Sequence, residues 1–161
     1  MSDYTPKYID PESWRIINSI IRKYPRMYVE LVEETNNIMF SRVAKETSVI
    51  AGHVSDPTSS KAIRLSSIRR GEATRKCEAI NFCLSMLRTD HYRVVCLRFW
   101  GVENTGLAFT AVKENIPVRG MKYESILTPK TLGEQGRYSI RQSKRIVRQF
   151  VLSVGKELGE I

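Results

Sequence analysis

A chain of 161 residues that is 42% apolar and 27% charged has the balance of an ordinary globular protein, which excludes a disordered tail. No window approaches the roughly 20 consecutive apolar residues a bilayer span needs, and Met1 to Asp10 lacks the basic-then-apolar layout of a signal peptide, so a cytoplasmic protein away from membranes is expected. The 26 Lys and Arg against 17 Asp and Glu leave a formal charge of +9, which favours polyanionic partners, nucleic acid foremost.

Asp10-Pro11-Glu12 supplies an N-cap, a proline at the first helical position and an acid in the first turn. It predicts a helix that buries Trp14, Ile17, Ile20 and Ile21 and ends at Tyr24-Pro25. Met27, Tyr28, Leu31, Thr35, Ile38 and Met39 recur at spacings of three and four, predicting a second helix from about Arg26 to Ser48. Residues 1–48 are thus expected to form an antiparallel helical hairpin, a candidate oligomerisation element. The run VIAGHVSDPTSS, residues 49–60, carries turn chemistry and reads as a linker, with Asp56-Pro57-Thr58 as a hinge.

Residues 61–161 read as a helical DNA-binding domain. Ser60 to Leu87 is expected to be one long helix, with Leu65, Ile68, Ala79, Ile80, Cys83, Leu84 and Leu87 along a stripe and Gly71 a point of bending. A solvated face and a second phosphate-contacting stripe are equal readings of Lys61, Arg64, Arg69 and Arg70. Asp90 caps a shorter helix through Phe99, which Gly101 stops. Trp14, Phe82, Phe99 and Trp100 are expected in the core rather than as base-stacking platforms. Between Val102 and Leu127, LAFTAV and YESIL lean toward β structure and predict a short hairpin or an ordered loop.

Catalytic chemistry finds little to work with. The histidines are His53 and His91 only, and the chain has no H-E-x-x-H, no P-loop and no nucleophile elbow, so no enzyme, cofactor or metal is expected. Cys77, Cys83 and Cys96 form no C-x-x-C pair and lie in apolar-periodic segments, as buried reduced thiols do.

The charge is uneven, and this is informative. Residues 1–80 hold 13 basic and 10 acidic side chains, whereas residues 81–161 hold 13 and 7. The bias culminates in TPKTLGEQGRYSIRQSKRIVRQFVLSVGKELG, residues 128–159. Thr128-Pro129 starts a short helix, Gly136 to Tyr138 makes a turn, and Ser139 with Gln142 forms a capping box for a long helix, residues 139–158. Ser143, Ile146, Val147, Phe150, Val154 and Leu158 keep the period of a buried stripe; Arg141, Lys144, Arg145 and Arg148 fall outside it. Five basic residues and no acid lie between Arg137 and Arg148, as suits a recognition helix entering a major groove. Its first turns point deepest into the groove, so Arg141, Gln142 and Arg145 are candidates for base edges, with Arg137, Lys144 and Arg148 on phosphates. Ser139 serves as cap, backbone contact or both.

The segment TLGEQGRYSIRQSKRIVRQFVLSVGKELGE resembles the carboxy-terminal helix-turn-helix of the RinA and ArpU type of phage late-gene transcription activators. The Tyr24-Pro25 break and SSIRRGEATRKCEAI, residues 66–80, resemble that family's other parts, and the likeness covers about two thirds of the chain. Such activators are similar to sigma-factor region 4 in their last domain. The helical periods along the chain predict an all-α fold, and the resemblance implies promoter DNA binding and contact with RNA polymerase in a bacterial host. A homodimer reading two half-sites is also expected, because a single helix-turn-helix covers little DNA. The competing readings are a small-terminase-like DNA-packaging adaptor, distinguished by a large closed ring, and a scaffold that ignores DNA.

Overall fold

The fold is all-α. The computed structural model describes residues 9–40, 57–126 and 138–161, among which there are six α-helices, one 3-10 turn and no strand. The helices are α1 (Pro11–Phe40), α2 (Pro57–Arg70), α3 (Glu72–Ser85), α4 (Thr89–Trp100), α5 (Thr105–Lys113) and α6 (Ile140–Leu158), with the 3-10 turn at Tyr123–Ser125. None of the described helices is long and apolar enough to cross a membrane.

The start of α1 follows the sequence reading: the Asp10 carboxylate accepts from the Ser13 backbone N–H at 3.2 Å, and Glu12 lies in the first turn. The expected break at Tyr24-Pro25 does not occur. One 30-residue helix runs through Pro25, replacing the hairpin over the described part of residues 1–48. A proline inside a helix leaves the carbonyl four residues earlier without its amide donor, here the carbonyl of Ile21. The Trp100 indole N–H donates to that oxygen at 3.1 Å, so a distant side chain replaces the missing bond. Pro25 itself is buried.

The long central helix expected from Ser60 to Leu87 is two helices. At Gly71 the backbone turns extended (φ −66°, ψ 153°), the Gly71 N–H bonds the Ile68 carbonyl at 3.0 Å, and the Thr74 hydroxyl donates to the same oxygen at 2.6 Å. Ile68 thus closes a turn instead of continuing the helical ladder. Pro57 opens α2 where a linker and hinge were expected; residues 49–56 lie outside the described part.

No hairpin forms between Gly101 and Ile126: residues 105–113 are α-helical, and residues 114–122 are the ordered loop that was the other expectation. LAFTAV lies within α5, because the Asn104 side chain caps it by accepting from Leu107 N–H at 2.9 Å, and Thr105 N–H and its hydroxyl both meet the Tyr92 hydroxyl at 3.0 Å. Phe109 then stacks on Tyr28, with ring centroids 4.2 Å apart and planes 16° from parallel. Aromatic and β-branched residues raise strand propensity only weakly against such packing. YESIL contributes the 3-10 turn.

One core joins α1, α3, α4, α5 and α6. Ile17, Ile21 and Tyr24 of α1 meet Ile80 and Leu84 of α3, Val94, Val95 and Trp100 of α4, Ala108 of α5, and Val147, Phe150 and Val154 of α6. Trp14 and Phe99 are buried as expected, but Phe82 is 52% exposed on the outer side of α3 and is not a core residue. All three cysteines are buried and free; loss of solvation pushes the thiols of Cys77 and Cys83 up to about 11 and that of Cys96 to about 12. They stay protonated near neutrality and act as small apolar groups.

Candidate nucleic-acid interface

The sequence logic of α6 holds in the fold. The Ser139 hydroxyl accepts from the Gln142 backbone N–H at 3.1 Å, while the Gln142 side-chain oxygen accepts from the Ser139 N–H at 3.0 Å, completing the capping box. Ser143, Ile146, Val147, Phe150, Val154 and Leu158 are buried, joined by Val151 and Gly155. This stripe sits on α3 and α4, and Phe150 approaches Phe99 at 6.2 Å between ring centroids. At the far end the Arg75 guanidinium donates to the Leu158 carbonyl at 2.9 Å, placing a cation at the negative end of the helix dipole.

Burying one face determines what the other presents. At about 100° per residue, Arg141, Lys144, Arg145 and Arg148 fall within an arc of about 100° and span about 10 Å along the axis, with Arg141 and Arg145 facing away from the buried stripe and Lys144 and Arg148 along its edge. Arg141 and Arg145 are exposed; Lys144 and Arg148 are half-buried. Lys144 leans over the Tyr123 ring, its Nζ 5.6 Å from the centroid. The α6 helix carries no acid before Glu157. Such a surface can hold phosphate groups and offers guanidinium forks to base edges.

Gln142 is exposed, yet bidentate recognition of adenine needs the same amide oxygen that accepts the cap bond. Its geometry serves the start of the helix first. Ser139 likewise spends its hydroxyl on the cap. Arg137, and the short helix expected from Thr128, lie outside the described residues.

The start of α6 is also tied to α4. The Tyr138 hydroxyl donates to the Asp90 carboxylate, whose other oxygen accepts from the His91 N–H at 3.0 Å, and the His91 ring meets Tyr138 edge-on. The hydrogen bond from Tyr138, followed by that from His91 N–H and the charge of Arg88, outweighs burial and lowers the Asp90 pKa. A lowered folded-state pKa stabilises the fold above the unfolded value and is lost as pH falls through the folded one. Tyr138→Phe should therefore cost about 1–2 kcal/mol near neutrality, the range for a partly solvated hydrogen bond to an ionised group. The gap from the native chain should narrow as pH falls below about 4. Urea unfolding at pH 7 and pH 3 checks this; an equal gap at both would remove Asp90 from the explanation.

Sequence reading missed the residues that meet α6 from the 3-10 turn. Arg98 of α4 stacks its guanidinium on Tyr123 at 4.3 Å from the ring centroid, so Tyr123 contacts cations from two helices. The basic-aromatic run Arg119 to Tyr123 was the available signal. Comparison of the chain with protein-family models, with curated proteins and with solved structures finds no match.

Proposed function

We propose that this chain is a sequence-specific DNA-binding transcription activator of phage or prophage late genes, of the RinA and ArpU kind, with α6 as the recognition helix of a helix-turn-helix. The observation that supports it best is the pair of exposed guanidinium groups, Arg141 and Arg145, flanked by Lys144 and Arg148 at the capped end of a helix whose opposite face is buried. In this reading Arg141 and Arg145 reach base edges in the major groove while Lys144, Arg148 and Arg137 hold phosphates. The chain then acts by binding rather than by catalysis, works as a homodimer on paired half-sites in the bacterial cytoplasm, and contacts RNA polymerase at the promoter.

Selection of duplexes from a random-sequence pool by the purified chain tests the proposal. A convergent sequence is expected, bound with a log-affinity that falls by about 0.9 per phosphate contact for each decade of salt. Absence of duplex binding at low salt would refute it.

A further inference from the structure

The stretch from Val118 to Ser125 is fastened to α4 at several points. Met121 N–H donates to the Leu97 carbonyl at 3.0 Å, and the Arg98 guanidinium donates to the Met121 carbonyl at 3.0 Å. Two glycines make the approach possible. A Cβ on Gly120 would lie 2.1 Å from the Arg98 carbonyl oxygen, and one on Gly101, whose φ is +68°, would lie 2.2 Å from the Arg119 carbonyl oxygen. Backbone is thus pressed on backbone, and the following residues are held in one place relative to α4.

Beyond that clamp, Tyr123 lies within reach of the Arg98 guanidinium and the Lys144 ammonium, at 4.3 and 5.6 Å from its ring centroid. An aromatic face attracts a cation through its ring quadrupole, so Tyr123 holds both side chains close to one another. Arg119 and Lys122 are exposed on the same stretch, and neither forms an ion pair among the described residues. Glu124 is the one acid between Asn115 and Ile126. Lys144 therefore joins α6 to the element that carries Arg119 and Lys122.

We propose that residues 119–123 form a second DNA-contacting element beside α6, in which Arg119 and Lys122 bind backbone phosphates flanking the groove that α6 enters. Tyr123 acts as a positioning residue that holds Lys144 and Arg98 in line with them. The partner is duplex DNA because the platform is continuous with the α6 face, and the inference rests on the DNA-binding reading of that helix. Its role is sequence-independent, since phosphate contacts set register without reading bases.

The probe is a duplex selected by the native full-length chain, with an unrelated duplex of equal length as control. Arg119→Ala with Lys122→Ala should weaken both duplexes by the same factor, about fivefold to tenfold, and flatten the salt slope by about 1.8, or 0.9 for each lost phosphate. Hydroxyl-radical footprinting should show protection lost at one flank of the site and kept at its centre. Unchanged affinity and slope in this variant, while Arg141→Ala with Arg145→Ala abolishes selective binding, would overturn the inference and leave the role of α6 standing. Loss confined to the selected duplex would also overturn it, by making the contact a base contact. Full binding by both double variants would remove the role of α6 and this inference together.

Discussion

Replacing Trp100 with alanine is expected to destabilise the protein by about 3–5 kcal/mol, the range for truncating a large buried aromatic. That is a large share of the roughly 5–15 kcal/mol that typically holds a domain together. Trp100 is 1% exposed, packs at 5.5 Å from the Tyr24 ring, and supplies the hydrogen bond that Pro25 cannot. Trp100→Phe separates these contributions, because it keeps an aromatic ring but leaves the Ile21 carbonyl buried without a donor, at a cost of about 1–3 kcal/mol. Pro25→Ala restores an amide N–H one helical turn after Ile21. The Trp100→Phe penalty should therefore shrink in a Pro25→Ala background, with a coupling of about 0.5–2 kcal/mol. Urea unfolding of the four proteins measures it. Equal penalties in both backgrounds would show that the indole bond does not compensate for the proline.

The second large effect is on binding. Arg141→Ala and Arg145→Ala should each weaken the selected duplex by about 1–3 kcal/mol and relax preference at one base position. Lys144→Ala and Arg148→Ala should instead weaken all duplexes alike. Because Arg141 and Arg145 are exposed and outside the packed stripe, the same substitutions should move stability by less than about 0.5 kcal/mol. Affinity measured by fluorescence anisotropy on selected and unrelated duplexes separates the two classes. Arginine variants that lose affinity equally for both would assign these side chains to phosphates rather than bases.

Legibility in the sequence followed the range of the interactions. The α6 helix could be read closely because its determinants are local: a Ser-x-x-Gln start, apolar residues at three and four, and basic residues at the remaining positions. Its six expected buried residues are all buried. The path of α1 was hidden because the donor that replaces the missing Pro25 N–H, Trp100, lies 79 residues from the Ile21 carbonyl it serves. Similarly, LAFTAV is helical through a cap at Asn104 and a ring stacked on another helix, neither of which strand propensity reflects. Gly71 was visible as a weak point, but the completeness of the break depended on Thr74 taking up the Ile68 carbonyl.

The candidate interface divides the same way. Arg141, Lys144, Arg145 and Arg148 were identifiable from periodicity, whereas the dual role of Gln142 depends on the conformation of the cap. The cluster at Tyr123 was only hinted at by the run Arg119 to Tyr123, since it brings together residues 98, 123 and 144 from three separate segments. An interface made by one helix is written in one stretch of sequence; its support is not.

Nuclear magnetic resonance titration of the full chain with the selected duplex bears most directly on the placement of the interface. The expected result is perturbation of the backbone amides of residues 139–148 and of the Arg141 and Arg145 side-chain Nε–H signals, with α1 and α2 little changed. Perturbations on α1 and α2 with those of α6 unmoved would contradict a DNA-reading role for the last helix.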